Sequence, residues 1–212
     1  MRKHLILVGL LLLTAVSVKA QDWGPIYKQV YENHLIELRM GSGRCTGVVI
    51  RENQVLTAAH CTQGTEEPIT ADGQPTEHLG HVVPLDLALL RTKTTKTPIP
   101  MVTGTPWPGT EVVAIGYTGG KTTPSITTLH IMGIDPDYVR LDGNLQFGYS
   151  GGPLVDINGM LVGINVGMLL GPPIDPFSGE ILFPSMVNVG FAVTIERVKV
   201  FLAMMDVGLN VD

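Results

Sequence analysis

The sequence is poor in cysteine, in charge and in long apolar runs. Charged residues make up 16% of the 212 positions, there are two cysteines, and the formal net charge is −5. No stretch is rich in Lys and Arg, so a nucleic-acid-binding surface is not expected. The single long apolar run lies at the N-terminus, so the remainder has no predicted membrane span.

That apolar run is part of a three-part N-terminal segment. Two basic residues precede Leu5–Leu13, and Val18 and Ala20 fit the −3 and −1 positions of a cleavage site. A retained transmembrane anchor is disfavoured, because the run is short and Lys19 interrupts its end. We expect residues 1–20 to be a signal peptide. Its removal takes away three positive charges, so the charge of −5 becomes −8 in a secreted or periplasmic mature chain without membrane attachment.

The two cysteines, Cys45 and Cys61, are 16 positions apart. In an exported protein an isolated pair is most simply a disulfide bond. Closing a loop of this size contributes about 3 kcal/mol in the chain-entropy model. Two free buried thiols are the alternative if the chain is not exported.

The rest of the chain predicts short strands separated by Gly, Pro, Asn and Asp. Helices are expected over Trp23–Tyr31 and Ile195–Met205, with Thr194 as a possible N-cap of the second. The proline-rich segment Thr97–Pro108 reads as a linker between two β halves. The expected strands are Leu35–Met40, Thr46–Ile50, Gln54–Thr57, Asp86–Arg91, Glu111–Tyr117, Thr127–Gly133, Tyr138–Leu141, Gly152–Asp156, Met160–Val166 and Val187–Val193.

The strongest chemical signal is the glycine-flanked serine in the segment GYSGGPL, residues 148–154. A nucleophilic serine must project from a tight turn, and flanking glycines permit that turn. They also let the N–H groups of Gly148 and Ser150 point at a developing oxyanion. A purely structural Gly-rich turn is the alternative. The elbow of α/β-hydrolases also fits the pattern, but there the histidine follows the serine, and every histidine here precedes Ser150.

The second signal is His60, in the segment LTAAHC ending at Cys61. A metal ligand is the alternative, but two cysteines at this separation form a weak zinc pattern. His78 and His81 form an H-x-x-H pair in a Pro- and Gly-flanked segment that predicts no evident metal cage. We therefore expect no metal.

The third signal is Asp86, which opens the apolar run LALL. A carboxylate there is costly to bury without a partner, and an imidazole N–H is such a partner. The alternative is an Asp that caps a turn after Pro84. Asp72 is the competing acid, but its Ala-Asp-Gly context is typical of a surface turn.

Together these segments, in the order His60, Asp86, Ser150, resemble the trypsin-like (chymotrypsin-fold) serine peptidase family over about residues 35–195. TAAHC, with a cysteine 16 positions before its own, matches the animal-type enzymes. PGTEVVAIGY, SGGPLVDINGMLVGINVGM and VGFAVT are closer to the bacterial HtrA-type branch. HtrA-type relatives normally carry a PDZ domain after the protease, and none is expected here because few residues follow Thr194.

The resemblance implies an all-β fold of two six-stranded antiparallel Greek-key barrels with a C-terminal helix. The halves are expected over about 35–97 and 109–194, and the helix over about 195–205. By resemblance, Ser150 attacks a peptide carbonyl, His60 shuttles the proton, Asp86 orients His60, and Gly148 with Ser150 forms the oxyanion hole. The reaction needs a polypeptide substrate and no cofactor.

Two features depart from the pattern. Tyr149 stands where animal enzymes carry an Asp that pairs with a newly cut N-terminus, so we expect no such activation step. By resemblance the pocket base is Asn144, which brings no carboxylate, although Asp142 lies two residues earlier. An uncharged residue is therefore expected on the acyl side of the cut bond. The remaining expected pocket residues are Phe147, Asn165, Val166, Gly167, Met168 and Gly190.

A protein that keeps this fold without turnover, acting as a binding module, is the main alternative to an endopeptidase. Such relatives usually lack one of the three catalytic residues, and all three are present here. An esterase would share the same chemistry. The sequence does not define the oligomeric state.

Overall fold

A computed structural model describes residues 22–64, 67–171 and 187–208. The expected signal peptide, residues 1–20, lies outside the described residues. Most of a second segment with several prolines, residues 171–185, also lies outside them. Within the described ranges, no helix is long and apolar enough to cross a membrane.

The expected all-β class with two antiparallel halves and a C-terminal helix is confirmed. Helix α1 spans Gly24–Asn33 and helix α2 spans Ile195–Asp206. The strands are β1 Leu35–Met40, β2 Gly43–Arg51, β3 Gln54–Thr57, β4 Ile69–Ala71, β5 Gln74–Pro75, β6 Glu77–Val82, β7 Leu87–Arg91, β8 Glu111–Gly116, β9 Ser125–Ile134, β10 Tyr138–Leu141, β11 Pro153–Val155, β12 Leu161–Gly171 and β13 Val187–Thr194.

The first half is a seven-stranded sheet in the order β5-β4-β1-β2-β3-β7-β6, rather than the expected closed six-stranded barrel. Its edge strands β5 and β6 are consecutive in the chain and are separated only by Thr76. Pro75 ends β5 and has no N–H to continue a ladder. The chain therefore passes from one edge strand of the sheet to the other across a single residue.

The second half is a closed barrel in the order β10-β13-β12-β11-β8-β9. Strand β9 shows the period-two pattern that a barrel wall requires. Leu129 and Ile131 are buried inside the barrel, while His130 and Met132 between and after them face outward. A buried apolar cluster that includes Leu56, Ile115 and Val193 joins the two halves.

The two helices pack on the outside of the sheets. In α2 the buried residues Ile195, Val198, Phe201 and Leu202 recur at the helical spacing that the sequence predicts. The Thr194 hydroxyl accepts the N–H of Arg197 at 3.4 Å and caps the helix. Helix α1 begins after Trp23, whose indole N–H donates to Glu111 of β8 at 2.7 Å.

Candidate active site

The histidine predicted as the base lies in a short 3₁₀ turn, Ala59–Cys61, directly after β3. The predicted disulfide Cys45–Cys61 is formed and ties this turn to β2, with the Cα atoms 6.2 Å apart. The N–H of Ala59 donates to the carbonyl of Asp86 at 3.0 Å. The backbone around His60 is therefore fixed on both sides, while 48% of its side chain remains exposed.

The carboxylate of Asp86 accepts two hydrogen bonds from His60. The backbone N–H of His60 donates to Oδ1 at 2.8 Å, and the ring Nδ1 lies 2.6 Å from Oδ2. An ionised carboxylate only accepts, so this pair places the ring proton on Nδ1 and leaves Nε2 free to take a proton. The hydrogen bond that Asp86 accepts raises the pKa of His60 above its ordinary value, and the negative charge of Asp86 raises it further, while burial lowers it.

The sequence suggested that Asp86 is the first residue of a strand, but β7 begins one residue later, at Leu87. Asp86 follows the 3₁₀ turn Val83–Leu85 with φ 53° and ψ 44°, a left-handed conformation that Asp and Asn tolerate better than most residues. The competing acid, Asp72, also has positive φ, but its carboxylate accepts the N–H of Glu37 at 2.8 Å and pairs with Lys96 at 3.0 Å. Of the two acids, Asp86 is the one paired with His60.

The candidate nucleophile Ser150 lies on a turn between β10 and β11 that only glycine can flank. Gly148 has φ +97°, and a Cβ there would lie 1.9 Å from the carbonyl oxygen of Tyr117. Gly151 has φ +78°, and its Cβ would lie 2.1 Å from Oγ1 of Thr57. The backbone N–H groups of Gly148 and Ser150 donate to no carbonyl of the described residues, so both are available to an incoming oxyanion.

His60 and Ser150 line one cavity of about 340 Å³. Its other walls are uncharged, from Leu145, Gln146, Phe147, Val166, Gly167 and Met168. A larger concavity of about 580 Å³ lies at the edge of the first sheet. There the charged side chains of Glu77 and Arg91 pair with each other at 2.7 Å. Because the smaller cavity is lined by both the paired base and the serine, it is the better candidate site among the described residues.

Four of the expected pocket residues, Phe147, Val166, Gly167 and Met168, lie in this cavity. Asn144 instead lines a neighbouring concavity that shares Leu145, Gln146, Phe147 and Met168 with the first.

Two further residues that were expected in the pocket, Asn165 and Gly190, do not line this cavity. Asn165 is fully buried behind the serine turn, where its amide donates to the carbonyl of Pro153 at 3.1 Å. Gly190 is covered by Leu145, since a Cβ on Gly190 would lie 3.1 Å from Leu145 Cγ. Leu145 therefore lies against Gly190, which the resemblance had suggested as a residue of the pocket.

Tyr149, next to the nucleophile, is 0% exposed and belongs to the apolar core of the second barrel. Its hydroxyl lies 3.1 Å from Oγ1 of Thr127. Gly116 makes room for it, because a Cβ there would lie 2.7 Å from Tyr149 Cα. The buried side chain of Tyr149 therefore holds the turn to the barrel core, at the position where the resemblance to the animal enzymes would place the Asp of an ion pair.

The ligand atoms of Cys45, His60 and Cys61 lie within 4.8 Å of one another. Both sulfur atoms belong to the disulfide, so neither is a thiolate that could bind a metal. His78 and His81 lie on β6 with ring centroids 5.2 Å apart, and burial together with His81 lowers the pKa of His78.

Comparison with known proteins gives three findings. A family model described as trypsin-like peptidase domain matches residues 45–164. Two curated Mycobacterium tuberculosis proteins, serine protease MT3772 of strain CDC 1551 / Oshkosh and serine protease Rv3671c of strain ATCC 25618 / H37Rv, are each 29% identical over 161 residues. The match covers 64% of this chain and 40% of the relatives, so the chain spans less than half of their length.

Solved structures share the fold. The inactive form of Rv3671c from M. tuberculosis H37Rv superposes with a TM-score of 0.69 at 22% identity, covering 89% of this chain and 93% of that one. The active form gives 0.67 at 24% identity, covering 85% and 84%. A serine endoprotease from Yersinia pestis gives 0.66 at 22% identity, covering 84% of this chain and 66% of that one.

Proposed function

This chain belongs to the trypsin-like peptidase domain family, and from that premise we propose that it is a serine endopeptidase that hydrolyses polypeptides. One observation carries the proposal. His60 donates two hydrogen bonds to the carboxylate of Asp86, and it lines the same cavity as Ser150. An oriented base beside a serine on a glycine-flanked turn is the arrangement that nucleophilic catalysis by serine requires.

In the proposed reaction Ser150 Oγ attacks the carbonyl carbon of a peptide bond while His60 Nε2 takes its proton. Asp86 keeps the other ring proton on Nδ1 and stabilises the imidazolium that forms. The N–H groups of Gly148 and Ser150 bind the oxyanion. His60 then returns the proton to the leaving amine, and an acyl-enzyme remains on Ser150. Water, deprotonated by His60, releases the acid product and restores the serine.

The pKa of His60 sets the pH dependence. Only neutral imidazole accepts the serine proton, and pairing with Asp86 raises the pKa of His60 above the ordinary value of 6.5. Activity should therefore fall as the pH drops through a midpoint above that value.

The cavity favours a substrate with a small or medium aliphatic side chain on the acyl side of the cut bond. The walls carry no charge apart from the catalytic imidazole, and Leu145 fills the space above Gly190. A Lys or Arg side chain would have no carboxylate to pair with there, and burying its charge unpaired is costly.

Tyr149 supports an enzyme that needs no N-terminal cut for activation. Its buried ring holds the serine turn from within the second barrel, so a new N-terminus is not needed to order it.

We also propose that residues 1–20 direct export and that the mature chain begins at Gln21, in a secreted or periplasmic location. N-terminal sequencing of the exported protein tests that boundary.

The test of the proposed function is covalent labelling by a fluorophosphonate, followed by turnover of a peptide library. The mature protein is expected to be labelled at Ser150 and to cleave peptides with an uncharged aliphatic residue before the cut. The variant Ser150→Ala is the control and should do neither. A folded protein that stays unlabelled at neutral pH would instead be a binding module with a silent protease fold.

A further inference from the structure

One buried side chain of the first sheet, that of Thr46, forms hydrogen bonds with the serine turn and with the strand beside it. It lies on β2 directly after Cys45 and is 0% exposed. The backbone N–H of Tyr117 donates to Thr46 Oγ1 at 2.9 Å. The hydroxyl in turn donates to the carbonyl oxygen of Gly148 at 2.6 Å, across 102 positions of sequence.

The backbone of Thr46 holds a second point of the same turn. Its N–H donates to the carbonyl oxygen of Ser150 at 2.9 Å. Its own carbonyl accepts the Thr57 hydroxyl at 2.8 Å, which ties it to β3. One residue of the first sheet therefore binds the carbonyl groups on both sides of Tyr149.

These contacts matter because glycine gives the turn little rigidity of its own. Gly148 and Gly151 both have positive φ, and a glycine populates both signs of φ with similar ease. The Gly148–Tyr149 peptide group lies along the chain between the N–H of Gly148 and the N–H of Ser150. If it rotates, the segment that links these two donors changes shape, and they no longer converge on one oxyanion. A buried hydrogen bond to the Gly148 carbonyl opposes that rotation.

Thr46 packs closely against two glycines, Gly116 and Gly152. A Cβ on Gly116 would lie 3.0 Å from Thr46 Oγ1, and a Cβ on Gly152 would lie 3.1 Å from its Cγ2. Thus the glycines around the nucleophile admit the threonine as well as the turn itself.

We propose that Thr46 is a positioning residue that holds the oxyanion-binding turn of the second barrel from the first sheet. The inference rests on the proposed function, because it concerns the geometry of that same site. Thr46 does not touch the substrate. Its hydroxyl acts through the Gly148 carbonyl, so its loss should weaken transition-state binding while substrate binding is nearly unchanged.

The test compares Thr46→Val, which keeps the shape and removes the hydroxyl, with Thr46→Ser, which keeps the hydroxyl. Thr46→Val is expected to lower kcat at least about tenfold with KM within about threefold of wild type, since a misplaced oxyanion donor affects the transition state selectively. Thr46→Ser should recover kcat to within about threefold. A peptide boronate should lose affinity for Thr46→Val by the same factor as kcat/KM.

Thr92→Val is the matched control. Thr92 is also buried in the first half, at 4% exposure, and its hydroxyl donates to the carbonyl of Pro75 at 3.1 Å, without any contact to the serine turn. This variant should lose stability as Thr46→Val does and keep wild-type kcat. Rates are measured well below the thermal midpoint of each variant, and Thr46→Ala serves as a second hydroxyl-free variant if the valine does not fold.

The outcomes separate the two proposals. If wild type shows no turnover, the proposed function fails. If wild type turns over but the hydroxyl-free variants keep its kcat, or if Thr92→Val lowers kcat as much as they do, the assignment of Thr46 is overturned. A fall in kcat alone, restored by serine, supports it.

Discussion

Replacement of Asp86 by Asn tests the acid–base pair with little disturbance of the fold. Asp86 has φ 53°, and Asn tolerates that left-handed conformation as well as Asp does. The amide oxygen of Asn can still accept a hydrogen bond from the backbone N–H of His60, which in the wild type donates to Asp86 Oδ1 at 2.8 Å. The amide NH₂, however, faces ring Nδ1, which lies 2.6 Å from the carboxylate in the wild type. Because an NH₂ group donates, it favours the tautomer with the proton on Nε2.

With Nε2 protonated, His60 cannot accept the proton of Ser150. The expected loss in kcat is about 10⁴-fold, the size associated with a wrong histidine tautomer in such a triad. That factor corresponds to about 5 kcal/mol of transition-state stabilisation. The pKa of His60 should also fall, because the hydrogen bond that raises it and the charge of Asp86 are both lost.

The assay is steady-state cleavage of a peptide substrate, with active sites titrated by a fluorophosphonate. Asp72→Asn is the matched control, since Asp72 also has positive φ and is the other acid that the sequence offered. It should retain activity within about threefold. If Asp86→Asn keeps more than about a tenth of wild-type kcat, or if Asp72→Asn causes the larger loss, the assignment of Asp86 is wrong.

Three further predictions follow from the same site. The pH profile of kcat/KM should rise with a midpoint above 6.5, since pairing with Asp86 raises the pKa of His60, and a midpoint below that value would contradict the pairing. In a peptide library, Leu145→Ala should shift the preference for the residue before the cut toward larger apolar side chains, by about tenfold in relative kcat/KM. An unchanged profile would show that Leu145 does not limit the side chains that enter the cavity. Several residues added before Gln21 should leave turnover unchanged, because Tyr149 orders the serine turn, and activity that returns only on trimming would refute this.

Much of the fold was predictable where a short apolar segment is bounded by Gly, Asn or Asp. The predicted bounds of Leu35–Met40, Gln54–Thr57 and Tyr138–Leu141 agree with β1, β3 and β10. Strand β6 was missed, because His78, Gly80 and His81 give it no apolar alternation, and its ladder to β7 contains a bulge. Its pairing depends on neighbouring strands, which a local pattern does not contain.

The candidate site was also predictable only in part. The pairing of His60 with Asp86 was expected mainly from the family resemblance, and the two side chains lie within hydrogen-bonding distance. The left-handed backbone of Asp86 was not, because the apolar run that follows suggested a strand. The burial of Leu145 over Gly190 depends on how the barrel wall curls around the cavity. Likewise, Thr46 carried no sequence signal beyond its place after Cys45, since its partners lie in the other half of the chain.

The central claim is that Ser150 is a nucleophile activated by His60. The most direct measurement is mass spectrometry of the mature protein after treatment with a fluorophosphonate at neutral pH. The account predicts one adduct per chain, on the peptide that contains Ser150, with no adduct in Ser150→Ala and much slower labelling in His60→Ala. A folded wild-type protein that remains unlabelled, or that carries its adduct on another residue, would contradict the account.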